Sequence, residues 1–359
     1  MTLIRSTAEL IAFIFFALSS GTLVTSTKLS ASQPARPHRF RVESQWNIGG
    51  SGGWGFLVLD QAAHRLYIPR TNRVMVVDTQ AGKVVGEVDG LTNLRDVALD
   101  DSGRYGYATD PTDGTAGFVR VFDRTSLKLV SSIPTGLVPA AIAFDPSTKL
   151  IFAFNAHSHS ATVIDSATNQ VVSTIPLSGR PGSAVVDGEG GIFVTLPALG
   201  MIEKIDAAAG KITASWDIAP CTGPTGLAID AADRQLFTTC ENHKLVAIHA
   251  DTGRVTAIGE ASAGSGDMDF NPRDHRLFLA DATGTVTIYH RDSASRFSML
   301  QQLTTQPGAR TMIVNHEQEK VYLVTSKFGQ NTAAVSEELR FRPTPVPGTF
   351  SVLVVGRDH

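Results

Sequence analysis

The chain has few of the features that announce a chemistry. It holds two cysteines, Cys221 and Cys240. They form neither CxxC nor CxxCH, so nothing supports thioredoxin-like redox chemistry or covalent haem attachment. In a strand–helix setting no GxSxG elbow or GxGxxG fingerprint occurs, and HExxH and the P-loop are absent. Long helical periodicity is missing as well. The net charge is −3 and no basic block breaks it, which argues against nucleic acid as the main partner. Single-stranded nucleic acid would also need exposed aromatic platforms, and candidates are few.

One apolar run stands out, Leu10 to Leu18 (LIAFIFFAL). It is short for a bilayer span. Arg5 precedes it and small polar residues follow, the shape of a secretory signal peptide over residues 1–32. Glu9 is unusual for one, and an uncleaved anchor is the alternative. No later segment is suited to cross a membrane. Residues 33–39 (QPARPHR) read as a linker. The expected location is periplasmic or secreted.

The rest of the 359 residues, 42% apolar, repeats one pattern. Pro139 to Ser178 shows it: AAIAFD, a turn at PSTK, LIFAF, a polar loop, ATVID, a turn at SATN, then QVVSTIPL. Two columns make the repeat countable. An acid or amide closes the first strand: Asp60, Asp100, Asp145, Asp187, Asp230, Asn271 and Asn315. An aromatic follows: Tyr67, Tyr107, Phe152, Phe193, Phe237, Phe278 and Tyr322. Steps in either column run from 40 residues (Asp60 to Asp100) to 45 (Asp100 to Asp145). Four short strands per period of this size point to propeller blades. A lone sheet cannot bury both faces, but a stack around an axis can. The aromatics read as packing between blades. The acids, with a second column at Asp78, Asp123, Asp165 and Asp206, read as turn formers.

The expected fold is thus all-β: a seven-bladed β-propeller of four-stranded antiparallel blades over residues 40–356. Phe40 to Ile48 supplies a strand that blade seven lacks and pairs with Phe350 to Val355, closing the ring and removing free edges. Trp46 would sit in that seam. Blade seven also carries a 326–348 insertion, of a length that is usually functional or disordered.

Strand direction places the loops entering the first and third strands on one face. The entering loops are rich in Gly and Pro; the others hold bulkier polar residues. Counting five residues back from the acidic column gives the ring around the channel mouth: Gly55, Arg95, Ala140, Gly182, Thr225, Gly266 and Arg310. Arg95 and Arg310 favour a carboxylate or phosphate there, with Arg70 a further candidate contact. The competing reading is that Asp96 and Asp267, one position on from the ring, neutralise the guanidinium groups. His157 and His159 form the best metal-like pair, because alternate residues of an extended segment point the same way; no third ligand is visible nearby. Asp110 and Asp113 lack the ligand count of a calcium site. In an exported chain Cys221 and Cys240, at one end of a hairpin, suggest a disulfide. His243 offers a Cys–Cys–His metal site as the alternative.

The second strand of each repeat resembles the signature of the YVTN-repeat, or YncE-like, β-propellers: YIPR (67–70), YATD (107–110), FAFN (152–155), FVTL (193–196), FTTC (237–240), FLAD (278–281) and YLVT (322–325). Flanking strings such as VIDSATNQVVSTIPLSG agree. The resemblance covers Phe40 to Gly356. It implies a seven-bladed propeller, usually exported, mostly without defined activity, with some members thought to bind partners or nucleic acid. The fourth position departs from Asn in six repeats, and no catalytic residues carry over.

Three functions compete. The first is an exported, non-enzymatic propeller that binds a protein partner or a small anionic ligand on its Gly-rich face, with no cofactor and no catalytic residue. The second is a metal-dependent lactonase- or lyase-like enzyme using Asp96, Asp110, His157, Glu241 and Asp267. The third, single-stranded nucleic-acid binding, is disfavoured by the charge.

Overall fold

The computed structural model describes residues 39–262, 265–329 and 344–358. They form seven four-stranded antiparallel sheets. In chain order the first six blades span residues 58–88, 97–135, 139–176, 184–217, 224–260 and 265–304. The seventh is built from Thr311–Asn315, Lys320–Thr325, Ser351–Arg357 and the N-terminal strand Phe40–Asn47. That strand pairs antiparallel with Ser351–Arg357, Phe40 against Arg357 and Trp46 against Val352. The ring therefore closes with the two ends of the propeller side by side in one sheet. Trp46 packs on Tyr322 in the seam, ring centroids 5.6 Å apart. The residue range 1–38, which includes the signal-peptide expectation, lies outside the described residues.

Blade three shows why these segments become strands. Its second strand, Leu150–Asn155, is buried at five consecutive positions, because a blade lies against each of its faces. Its outer strand, Gln170–Pro176, has one buried residue, Ile175. The turns are set by the acids. Asp145 Oδ2 accepts from Thr148 N at 3.0 Å, and Asp165 Oδ1 accepts from Ala167 N at 2.7 Å. Both are side-chain turns of the Asx kind.

The core is a series of inter-blade layers. Among the described residues seven apolar clusters occur, one per blade interface. Each holds one member of the aromatic column, and every member is at most 1% exposed. Burying a ring of that size stabilises by about 3–5 kcal/mol relative to alanine.

Two features go beyond the periodicity. The outermost strand pair of every blade carries a register shift, as at Val163/Ile164 and Val42/Ser44. Bulges bend and twist the outer strand away from flat edge-to-edge pairing. The acidic column also does more than form turns. Arg124 of blade two reaches Asp60 of blade one, and Arg291 of blade six reaches Asp230 and Asp233 of blade five. These pairs tie neighbouring blades together, Arg124–Asp60 and Arg291–Asp230 through nearly buried side chains and Asp233 from the surface. The ends of the insertion also come together: Phe328–Gly329 pairs with Thr344–Pro345. Residues 330–343 lie outside the described residues.

Candidate ligand mouth and its surroundings

The loops entering the blades meet around a cavity of about 440 Å³ at one end of the central channel. Its lining includes Gly55, Arg95, Ala140, Arg180, Thr225, Gly266 and Arg310. Six of these residues are the counted ring. The seventh counted position, Gly182, is replaced in the lining by its neighbours Arg180 and Ser183.

Close blade contact holds Arg95 and Arg310 at the rim. The backbone N–H of Phe56 donates to the Arg95 carbonyl at 3.0 Å, and that of Asp267 donates to the Arg310 carbonyl at 2.9 Å. In both cases the residue before the donor is glycine. A Cβ on Gly55 would lie 1.8 Å from the Arg95 oxygen, and one on Gly266 would lie 2.3 Å from the Arg310 oxygen. The small residues of the ring thus let one blade's backbone touch the next. The arginine side chains are left exposed. Among the described residues neither Arg95, Arg180 nor Arg310 has a side-chain hydrogen bond or ion pair.

Asp96 and Asp267 do not form ion pairs with these arginines. Asp96 accepts from its own blade at Val97 N, 2.8 Å, and from the next blade at Ile142 N, 3.0 Å. Asp267 occupies the equivalent position in blade six and accepts from Met312 N of blade seven at 3.2 Å. Burial inside the ring raises the Asp96 pKa to about 8, against the pull of the two N–H groups, and Asp267 across the channel adds to the rise. Burial likewise raises Asp267 to about 7; the Met312 N–H opposes it, and Arg310 lowers it only as a lesser influence. At pH 7 Asp96 is mostly protonated and Asp267 about half so, which leaves much of the arginine charge at the mouth uncancelled.

Below Phe56 and Asp267 the channel widens into a cavity of about 730 Å³ lined largely by apolar first-strand residues. His316 faces it and bonds Asp269 at 3.2 Å. Burial works against the imidazolium there, but the Asp269 carboxylate outweighs it and raises the His316 pKa.

Other sequence candidates fall elsewhere. Arg70 is 1% exposed and is not presented to the mouth. It donates to the carbonyls of Ser51, Gly52 and Gly53 at 2.8–3.0 Å and lies 3.7 Å over the Phe350 ring. It holds the glycine loop before blade one in place. Burial lowers its pKa to about 10. The fourth signature position is buried in every repeat, and Asn155 shows its use: it donates to Ser160 and Thr162 across its own hairpin.

His157 and His159 lie in a tight turn rather than an extended segment, and His159 has φ 46°. The alternation that would aim both rings at one ion does not apply. Asp110 is buried against Arg120 at 2.9 Å. Asp96, Asp110, His157, Glu241 and Asp267 supply no group of three within metal-ligand reach among the described residues. Asp230, Asp233 and His275 do. Arg291 sits on that trio, however, 3.0 Å from Asp230, bonded to Asp233 and 3.2 Å from His275 Nδ1. It supplies the positive charge that a cation would bring. Cys221 and Cys240 are joined in a disulfide, Cα atoms 5.4 Å apart.

Sequence counting missed Arg180. The fixed offset of five residues skips it, because the SGRPG loop carries its charge two residues ahead of the counted glycine.

No family model matches the chain, and no curated protein matches it in sequence. Solved structures do match in shape. A chain of Kuenenia stuttgartiensis hydrazine synthase superposes with TM-score 0.68 at 16% identity, covering 77% of this chain and 93% of that one. A chain of the mitotic checkpoint complex superposes with TM-score 0.71 at 11% identity, covering 93% and 98%. At such identities the likeness concerns the fold alone, and the fold is a seven-bladed β-propeller.

Proposed function

We propose that this chain is an exported, non-enzymatic propeller of the YVTN-repeat type whose Gly-rich face binds a small anionic ligand at the channel mouth. One observation carries the reading. Three exposed guanidinium groups line one concave cavity and have no internal partner among the described residues, while the nearest carboxyls bond backbone instead. Arginine forks suit carboxylate and phosphate. Cavities of this size suit small molecules. The disulfide supports an oxidising compartment. No helix of the described residues is long and apolar enough to cross a membrane.

A ligand that binds only the folded state raises the unfolding temperature by mass action. A thermal-shift screen of small organic anions in low-salt buffer tests the reading. Saturable stabilisation, weaker in Arg95→Gln and Arg310→Gln, supports it. A flat response across all anions contradicts it.

A second reading, a protein partner on the same face, has its own observation. Phe56, Leu137, Leu199 and Val346 are large apolar residues at 38–48% exposure on loops of that face. Undiminished partner capture by a Phe56→Ser/Leu137→Ser variant would count against it.

A further inference from the structure

The order of the blades bears on which anion the mouth takes. Arg95 enters with blade two, Arg180 with blade four and Arg310 with blade seven. Around a ring of seven the gaps between them are two, three and two blades, as near to threefold as seven allows. The charges therefore converge from three sides instead of forming one wall. Between them the rim holds Gly55, Ala140 and Gly266, with Trp54 and Phe56 beside Gly55 and the Asp267 carboxyl beside Gly266.

Resting on the anion reading above, the geometry points to a small tricarboxylate as the ligand of this mouth, with one carboxylate on each of Arg95, Arg180 and Arg310. A guanidinium presents a planar fork that one carboxylate fills. A monocarboxylate would leave two like charges unneutralised in the cavity, and a dicarboxylate would leave one. Inorganic phosphate concentrates its charge at one centre, while the cavity of about 440 Å³ brings its arginines from three walls. A compact carbon framework with three arms can turn one carboxylate toward each wall.

Calorimetric titration of the purified protein at low salt tests this with tricarballylate, glutarate, acetate and inorganic phosphate. The expected result is one-to-one binding of tricarballylate about tenfold or more tighter than glutarate, with acetate weaker still, in line with charged hydrogen bonds being lost one by one. Arg95→Gln, Arg180→Gln and Arg310→Gln should each weaken tricarballylate by about tenfold or more. The corresponding lysine variants, which keep the charge and lose the fork, should fall between. Arg104→Gln, in a turn of the opposite face against Tyr105, should change nothing. If a variant fails to fold, the ligand series on the parent protein still decides. Equal affinity for glutarate and tricarballylate, or tighter phosphate, overturns the threefold inference and leaves the anion reading standing. Failure of every anion to bind overturns both.

Discussion

Asp96 of blade two accepts a hydrogen bond from the backbone N–H of Ile142 in blade three, 3.0 Å away. Asp267 repeats the contact with Met312 one blade on from its own, at 3.2 Å. The two carboxyls, one residue on from Arg95 and Gly266, serve as backbone acceptors between blades, and burial raises both above the usual carboxylate range.

A pH dependence follows. Asp267 has an ordinary value of 3.8 and about 7 in the fold. The folded state therefore holds a proton that the unfolded state releases, and stability must fall as pH rises through that window. Asp267→Asn keeps a neutral acceptor for Met312 N and removes the titration. Urea unfolding across pH 4 to 9 should show the parent losing stability relative to the variant as pH rises through about 7, with the difference levelling off only above that window. A difference independent of pH would contradict the assignment.

Arg124 links two blades from a side chain only 10% exposed. It pairs with Asp60 and donates to the Asp100 carbonyl at 3.1 Å. Arg124→Ala leaves a buried carboxylate unpaired and should cost about 3–5 kcal/mol. Denaturant melts check this; a loss within about 0.5 kcal/mol, the range of ordinary surface substitutions, would show that the pair is dispensable.

Gly266 touches the Arg310 carbonyl so closely that a Cβ would fall at 2.3 Å. Gly266→Ala should push blade seven away at the mouth, costing about 1–3 kcal/mol as overpacking does. Anion affinity should fall with it, because Arg310 moves. A stable variant with unchanged affinity would separate the rim from the ligand.

The Cys221–Cys240 bond closes a loop of sequence separation 19. Replacing both cysteines by alanine should cost roughly 3 kcal/mol by the loop-entropy argument. Comparing unfolding midpoints of the parent and the double variant gives the figure directly.

The fold was legible because two structural needs recur every 40 to 45 residues, from Asp60–Asp100 to Asp100–Asp145. Each interface needs a bulky ring, and each hairpin needs a turn acid, so Tyr67 to Tyr322 and Asp60 to Asn315 stand in register. Ring closure was legible because Phe40–Asn47 and Ser351–Arg357 are incomplete alone. The mouth was legible as far as loops keep one length: the count reached Arg95 and Arg310 but passed over Arg180. What stayed hidden depended on pairing across blades. Nothing local in Arg70 tells that its guanidinium turns inward to three carbonyls, or in Asp96 that its partner is a backbone N–H 46 residues on. The extended geometry expected at His157 and His159 is not what forms, since a left-handed residue at His159 breaks the strand alternation.

The arginines at the channel mouth are proposed to hold an anion. The most direct measurement is a tricarballylate titration of the parent protein and of the Arg95→Gln/Arg180→Gln/Arg310→Gln variant, at low and at high salt. Saturable one-to-one binding by the parent, weakened by salt, is the expected result, with none by the variant while it melts as the parent does. Equal binding by both proteins, or by neither, would contradict it.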